Sequence, residues 1–242
     1  MNRSRLAVLA LLAVAVPAAC GGDDDGGSAA TQPPAATVPS PGGGGGGPVA
    51  PVQPPTATVP ADVPDGFLPA IGPVDVTGES LPVLDKAPID RDPGRGLTAP
   101  SLVGLGYDGQ PVRIDAATDG PTMVVFLAHW CPHCNAEVPR LIELRDAGRF
   151  PDWLNIVAVA TASNPQRPNF PPGDWLANAD WTWPALADGV DLEAESWVGA
   201  TAFGVDGFPF IALLDADGKV AARWSGESTP DEIIARITQY LG

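Results

Sequence analysis

Three uninterrupted apolar stretches organise this chain: Met123–Ala128, Asn155–Thr161 and Phe210–Leu214. Each is short and lacks polar alternation, so each is expected as a strand buried on both faces. After the third, Asp215-Ala216-Asp217-Gly218 reads as a tight turn with glycine where a positive φ is needed. Lys219–Trp224 then pairs back antiparallel. Helical spacing appears over Ala136–Leu144, where Leu141 and Leu144 stand three apart, and shorter helices are expected over Asp174–Ala179 and Leu192–Phe203. The last helix opens on Thr229-Pro230-Asp231-Glu232, a capping box with proline at the first helical position, and buries Ile233, Ile234, Ile237 and Leu241. Upstream, Ala99–Leu102 and Tyr107–Ile114 suggest a strand, a turn and a second strand. Proline and aspartate interrupt every run in residues 74–94, which read as an irregular lead-in. The order after the hairpin is β-α-β-α-β-β-α, with no internal repeat. The expectation is one α/β domain over 74–242: a central mixed sheet flanked by helices, with an N-terminal β-hairpin extension. That length can bury a single adequate core.

Residues 1–73 carry a different pattern. Arg3 and Arg5 precede an apolar stretch, Leu6–Val16, too short for a typical spanning helix. Pro17-Ala18-Ala19-Cys20 then places small residues before a cysteine. This resembles a bacterial lipoprotein cleavage site, which implies a signal peptide over 1–19 and a lipid on Cys20. Ordinary cleavage after Ala19, leaving a free thiol, is the alternative. Residues 20–73 hold an acidic run, Asp23–Asp25, six glycines, Gly42–Gly47, and many prolines. Such a segment has too little apolar surface to bury a core. Roughly forty residues of this composition reach on the order of 35 Å, which suits a tether.

The formal charge of −16, with Lys86 and Lys219 the two lysines, leaves no basic cluster for nucleic acid. Membrane contact is expected through the lipid and not through the domain's surface.

The candidate chemistry lies where the first apolar strand hands over to a helix: His129-Trp130-Cys131-Pro132-His133-Cys134. A helix N-terminus has unpaired N–H groups and a partial positive charge, both favouring a thiolate at Cys131. Cys134 follows one turn later on the same face. A lone C-x-x-C fits half a zinc site, a structural staple or a redox pair. Zinc usually needs four ligands, and His129 and His133 flank the cysteines too closely to close a tetrahedron, so no metal is expected. A staple across so short a loop gains little. Three cysteines leave one odd thiol, and lipidation of Cys20 would leave the pair.

Ala128-His129-Trp130-Cys131-Pro132-His133-Cys134 resembles the A-x-W-C-x-x-C active site of the thioredoxin superfamily. Pro139 matches the proline that kinks the family's active-site helix. Cys134-x-x-Glu137-x-Pro139 resembles the TlpA/ResA-like branch of membrane-tethered extracytoplasmic thioredoxins, and Phe203–Phe210 resembles the loop with the family's cis-proline. The resemblance spans roughly residues 95–242 and implies a thioredoxin-like fold without cofactor. It implies that Cys131 is the nucleophile and Cys134 the resolving thiol, with Pro132 and His133 tuning the couple. Phe208 and Pro209 would meet substrate, and Trp130 would either pack beside the thiols or serve as ordinary core. Pro-His between the cysteines is the dipeptide of the strongly oxidising DsbA-type proteins. Thioredoxin itself carries a buried aspartate where this chain has Val125, so proton handling would fall to water, a partner or Glu137. Glu137 reads first as a solvated helix residue.

The expected activity is thiol–disulfide exchange outside the cytoplasmic membrane. Oxidation of cysteine-containing exported proteins, with reset by a membrane redox partner, competes with TlpA/ResA-type reduction, for example in cytochrome c maturation. A non-catalytic binding lipoprotein is a further class, against which both cysteines argue. Peroxidase chemistry lacks a P-x-x-x-T/S-x-x-C arrangement. The tryptophans of the Pro-rich insertion 162–187 could line a groove or form the insertion's own core.

Overall fold

The computed structural model describes residues 70–242. The leader, Cys20 and the linker as far as residue 69 lie outside the described residues. The central sheet has five strands in the order β10-β9-β4-β5-β6. They are β4 (Thr122–Leu127), β5 (Asn155–Ala160), β6 (Ala185–Ala187), β9 (Phe210–Leu214) and β10 (Val220–Ser225). The pairs β4/β5 and β5/β6 are parallel, and β4/β9 and β9/β10 antiparallel. The sheet is therefore mixed.

Successive residues of a strand face opposite sides, and both sides of β4 are buried. Met123, Val125 and Leu127 pack with Val138, Leu141 and Leu144 of helix α2 (Pro132–Asp146) and with Ile233 and Ile237 of α5 (Pro230–Leu241). Val124 and Phe126 pack on the other side with Leu102, Ile114 and Phe203. All six positions of β4 are buried, which is why its sequence reads as a solid apolar run. The capping box of α5 forms as expected: the Thr229 hydroxyl accepts from the Glu232 N–H while the Glu232 carboxylate accepts from the Thr229 N–H.

Three elements differ from the sequence expectation. The N-terminal extension is a three-stranded antiparallel sheet, β1-β2-β3, and not a hairpin alone. Its first strand, β1 (Val74–Thr77), comes from the lead-in read as irregular. Three of its four residues are exposed, so it carries no apolar signal. Strands β2 (Ser101–Leu105) and β3 (Pro111–Ile114) flank a turn that takes up Tyr107–Gly109, because the Asp108 carboxylate accepts from the Gln110 N–H and Gly109 adopts φ +75°. The helix expected over Leu192–Phe203 shrinks to α4 (Val198–Ala202), behind a small hairpin of β7 (Val190–Asp191) and β8 (Ser196–Trp197). Asp191 closes that hairpin by accepting from the N–H groups of Glu193 and Ala194. Such local side-chain bonding competes with helix, and Leu192 stays exposed. The insertion contributes α3 (Pro172–Asn178), close to expectation, and a short α1 (Ala116–Asp119) precedes β4.

Candidate active site

Ala128–Trp130 follow the C-terminal end of β4, the central strand of the sheet, and α2 begins after Cys131. Cys131 is the N-cap of α2, in extended conformation, followed by Pro132 at the first helical position. Proline suits that position because its missing N–H would have no helical partner. Cys131 retains 6% exposure and Cys134 none. Both are free thiols. The Cys134 sulfur accepts from the Ala128 N–H at 3.5 Å. Burial raises the pKa of Cys134, with the neighbouring Cys131 and Glu137 adding to the rise and the Ala128 N–H opposing it. The two sulfurs thus differ as an attackable thiol and a protected one should.

The Phe208–Pro209 peptide is cis, and the Phe208 carbonyl oxygen lies 3.6 Å from the Cys131 sulfur. This loop connects α4 to β9 and brings residues 77 positions away in sequence against the thiol. Trp130 is half-buried. Its indole N–H donates to the Ala162 carbonyl at 2.7 Å, and the Arg167 guanidinium lies 4.8 Å from its ring centre. Trp130 therefore joins the active-site turn to the insertion, beyond the two roles considered for it in sequence.

His129 and His133 face different partners. His129 Nδ1 lies 2.6 Å from the Pro168 carbonyl, and Nε2 accepts from the Asn164 N–H at 3.1 Å. Those partners place its proton on Nδ1. His133 is exposed, and its Nδ1 lies 2.6 Å from Glu227. Among the described residues no three His, Cys, Asp or Glu side chains gather as metal ligands.

Asn135 was missed in sequence. Its amide donates to the carbonyls of Cys131 and His129, and its oxygen accepts from Asn169 and from the Trp175 indole. With His129, it pins the loop 163–171 over the active-site turn. Trp175 and Trp181 are buried in the core under that loop, while Trp181 and Trp183 also line a groove of about 590 Å³ beside β6. Trp175 and Trp181 thus belong to the domain's main core and not to a separate core of the insertion.

Glu137 corrects the sequence reading: it is fully buried on the Cys134 face of α2 and not solvated. The signal was present, because Cys134, Glu137, Val138 and Leu141 share one stripe at i, i+3, i+4 and i+7. One carboxylate oxygen accepts from the Ser228 N–H at 3.1 Å and from Arg140 at 3.4 Å, and the other has no partner. Burial raises its pKa.

The loop clasp makes stability depend on pH. Burial lowers the pKa of His129 below its ordinary 6.5, against the opposing Pro168 carbonyl. As pH falls below about 6.5, the unfolded chain takes up the proton before the folded one. The clasp's contribution is therefore complete above that value and declines as pH drops, at no more than about 1.4 kcal/mol per pH unit for one proton. Denaturant melts of wild type and His129→Gln between pH 7.5 and 5 should show the wild-type advantage shrinking on acidification. A constant difference would refute this role.

A sequence profile for the Thioredoxin-like domain matches residues 112–241. Among curated proteins, the chain is 24% identical over 148 residues to probable nucleoredoxin 1 of Arabidopsis thaliana, a match covering 60% of this chain. It covers 24% of that protein, so the chain spans less than a quarter of the relative's length. Among solved structures, the thioredoxin domain of a thiol–disulfide oxidoreductase from Bacteroides vulgatus is 20% identical with a TM-score of 0.49, covering 61% of this chain and 98% of that one. A thiol:disulfide interchange protein from Chlorobium tepidum is 23% identical with a TM-score of 0.48, covering 61% and 98%. DsbF from Mycobacterium tuberculosis, solved in mixed oxidised and reduced forms, is 22% identical with a TM-score of 0.46, covering 57% and 93%.

Proposed function

The chain belongs to the thioredoxin-like domain family, and from that premise we propose that it is a thiol–disulfide oxidoreductase that works outside the cytoplasmic membrane, held by a lipid on Cys20, and oxidises cysteines of exported proteins. The observation that carries the exchange chemistry is the asymmetry of the thiols: Cys131 at the helix start against the Phe208 carbonyl, Cys134 sealed beneath it.

In the oxidising direction, a substrate thiolate attacks the Cys131 sulfur of the Cys131–Cys134 disulfide. The S–S bond breaks and Cys134 leaves as a thiolate. Burial drives it to take a proton at once. Glu137 lies on the same face, with a free carboxylate oxygen and a raised pKa, and is a suitable donor by position and chemistry. The substrate's second thiolate then attacks the mixed disulfide and releases Cys131. Two electrons pass from the substrate dithiol to the pair, and a membrane redox partner would remove them. The cis Phe208–Pro209 loop faces the reacting sulfur, where an extended substrate segment would lie.

Direction rests on His133 beside the helix start, since positive charge there favours the thiolate and hence the reduced form. The reductase reading draws on one contact, the Glu227 carboxylate on that imidazole. Equilibration with glutathione buffers decides between them. An oxidant should lie well above thioredoxin's roughly −270 mV, with the reduced form more resistant to denaturant than the oxidised form. A potential near that value, with the oxidised form more stable, would establish the reductase instead. Anchoring is tested separately: a fatty-acid probe should label the wild-type chain and not Cys20→Ser, and equal labelling would remove the lipid.

A further inference from the structure

Glu227 stands in the loop between β10 and α5, 94 residues from His133 in sequence and in direct contact with it in the fold. One carboxylate oxygen lies 2.6 Å from His133 Nδ1, and the other 2.7 Å from Arg140. Arg140 in turn reaches Glu137, the buried carboxylate below Cys134, at 3.4 Å. A line of contacting ionisable groups thus runs from the exposed residue of the dipeptide to the buried acid: His133, Glu227, Arg140, Glu137. No part of it is visible in the C-P-H-C motif, which contains His133 alone.

We propose that Glu227 is a positioning residue that sets the redox potential through His133, tethering the imidazole to the β10–α5 loop and so limiting its action on Cys131. This inference rests on the exchange chemistry assigned to Cys131 and Cys134 above, but not on its direction. A free imidazolium on the first turn of α2 would favour the Cys131 thiolate and so the reduced protein. Tethered through Nδ1 to Glu227, the imidazole is held to the β10–α5 loop, and any charge it carries acts more weakly on the Cys131 sulfur.

The alternative is that Glu227 only orders the β10–α5 loop. That role would change stability without moving the potential, so the potential is the deciding readout. Bringing a partly exposed unit charge to within a few ångströms of the thiolate corresponds to about a three- to tenfold change in an equilibrium constant at high effective dielectric. For a two-electron couple tenfold is about 30 mV.

The test is a double-mutant cycle on the full domain: wild type, Glu227→Gln, His133→Ala and the double variant, each equilibrated with glutathione at neutral pH. Alkylation of the free thiols followed by mass spectrometry reads the reduced fraction. Glu227→Gln alone should shift the equilibrium toward the reduced protein about three- to tenfold. In the His133→Ala background the same change should fall below about twofold. An equal shift in both backgrounds would mean that Glu227 acts on the thiols directly, and it would overturn the proposal. So would no shift in either, provided that the four reduced proteins show the same near-native circular dichroism. If the variants differ as expected but the wild type proves reducing, the oxidant reading fails and the role of Glu227 stands.

Discussion

Cys131→Ser is expected to lower disulfide exchange by about three orders of magnitude or more, the scale on which loss of a covalent nucleophile acts. Cys134→Ser should do something different. Its Cys131 is intact at the mouth of the site and can still form a mixed disulfide, but no internal thiol remains to resolve it. Stable adducts with cysteine-containing substrates should therefore accumulate, visible on non-reducing gels and dispersed by dithiothreitol. The prediction follows from position: the Cys134 sulfur is fully enclosed and accepts from the Ala128 N–H, whereas Cys131 is the N-cap of α2 and keeps 6% exposure. Adducts in Cys131→Ser and none in Cys134→Ser would reverse the assignment.

The second large effect concerns stability. Arg223 of β10 and Asp92 of the lead-in are both fully buried side chains joined by a bidentate ion pair, with Arg223 Nε 2.9 Å from Asp92 Oδ2. Arg223 also donates to the Phe203 carbonyl at 2.7 Å, at the start of the loop that leads to Phe208. Gly94 packs so closely on the guanidinium that a Cβ there would lie 2.3 Å from it. Asp92→Ala leaves the arginine's charge buried without a partner, and losses of about 3–5 kcal/mol are usual for such a break. The compensating pair Asp92→Leu with Arg223→Met should recover much of the loss, because two apolar groups of similar volume avoid the desolvation cost altogether. Urea unfolding of the three variants measures this. A loss below about 1 kcal/mol for Asp92→Ala would show that water reaches the arginine and that the pair is not a closed latch.

These two predictions mark the limit of what sequence could reveal. The strands β4, β5 and β9 were legible because burial on both faces leaves an unbroken apolar run. The last helix was legible because its cap and its stripe are both local. Strand β1 was not, since it is only four residues long, three of them exposed, amid a segment broken by proline and aspartate. Strand β10 was found, but its register shift between Val220 and Ala222 was not. That irregularity lets Val220 pack on one side of the sheet while Ala222 and Trp224 pack on the other. Contacts between distant residues are the general case of this blindness: Arg223 with Asp92, His133 with Glu227, His129 with Pro168. No local pattern announces them. Glu137 is the exception, because its place on the Cys134 stripe could have been read from spacing alone.

Within the site, sequence located the thiols, the dipeptide and the proline loop, and missed what holds them. Asn135 and His129 fasten the insertion over the turn, and Ser228 and Arg140 hold the buried acid. Apart from the Arg140–Glu137 contact within α2, these bonds join groups far apart in sequence. They decide how rigidly the thiols are presented, and so bear on the potential as well as on stability.

The central claim is that Cys131 makes and breaks the bond to substrate while Cys134 completes the exchange. The most direct measurement uses the oxidised wild-type chain, its Cys131–Cys134 disulfide formed beforehand, mixed with a stoichiometric dithiol peptide, quenched in acid at successive times and mapped by mass spectrometry after digestion. The expected result is an early peptide adduct on Cys131 alone, giving way to free Cys131 and Cys134 thiols and a released peptide disulfide. An adduct on Cys134, or a peptide dithiol left unchanged by the oxidised protein, would contradict it.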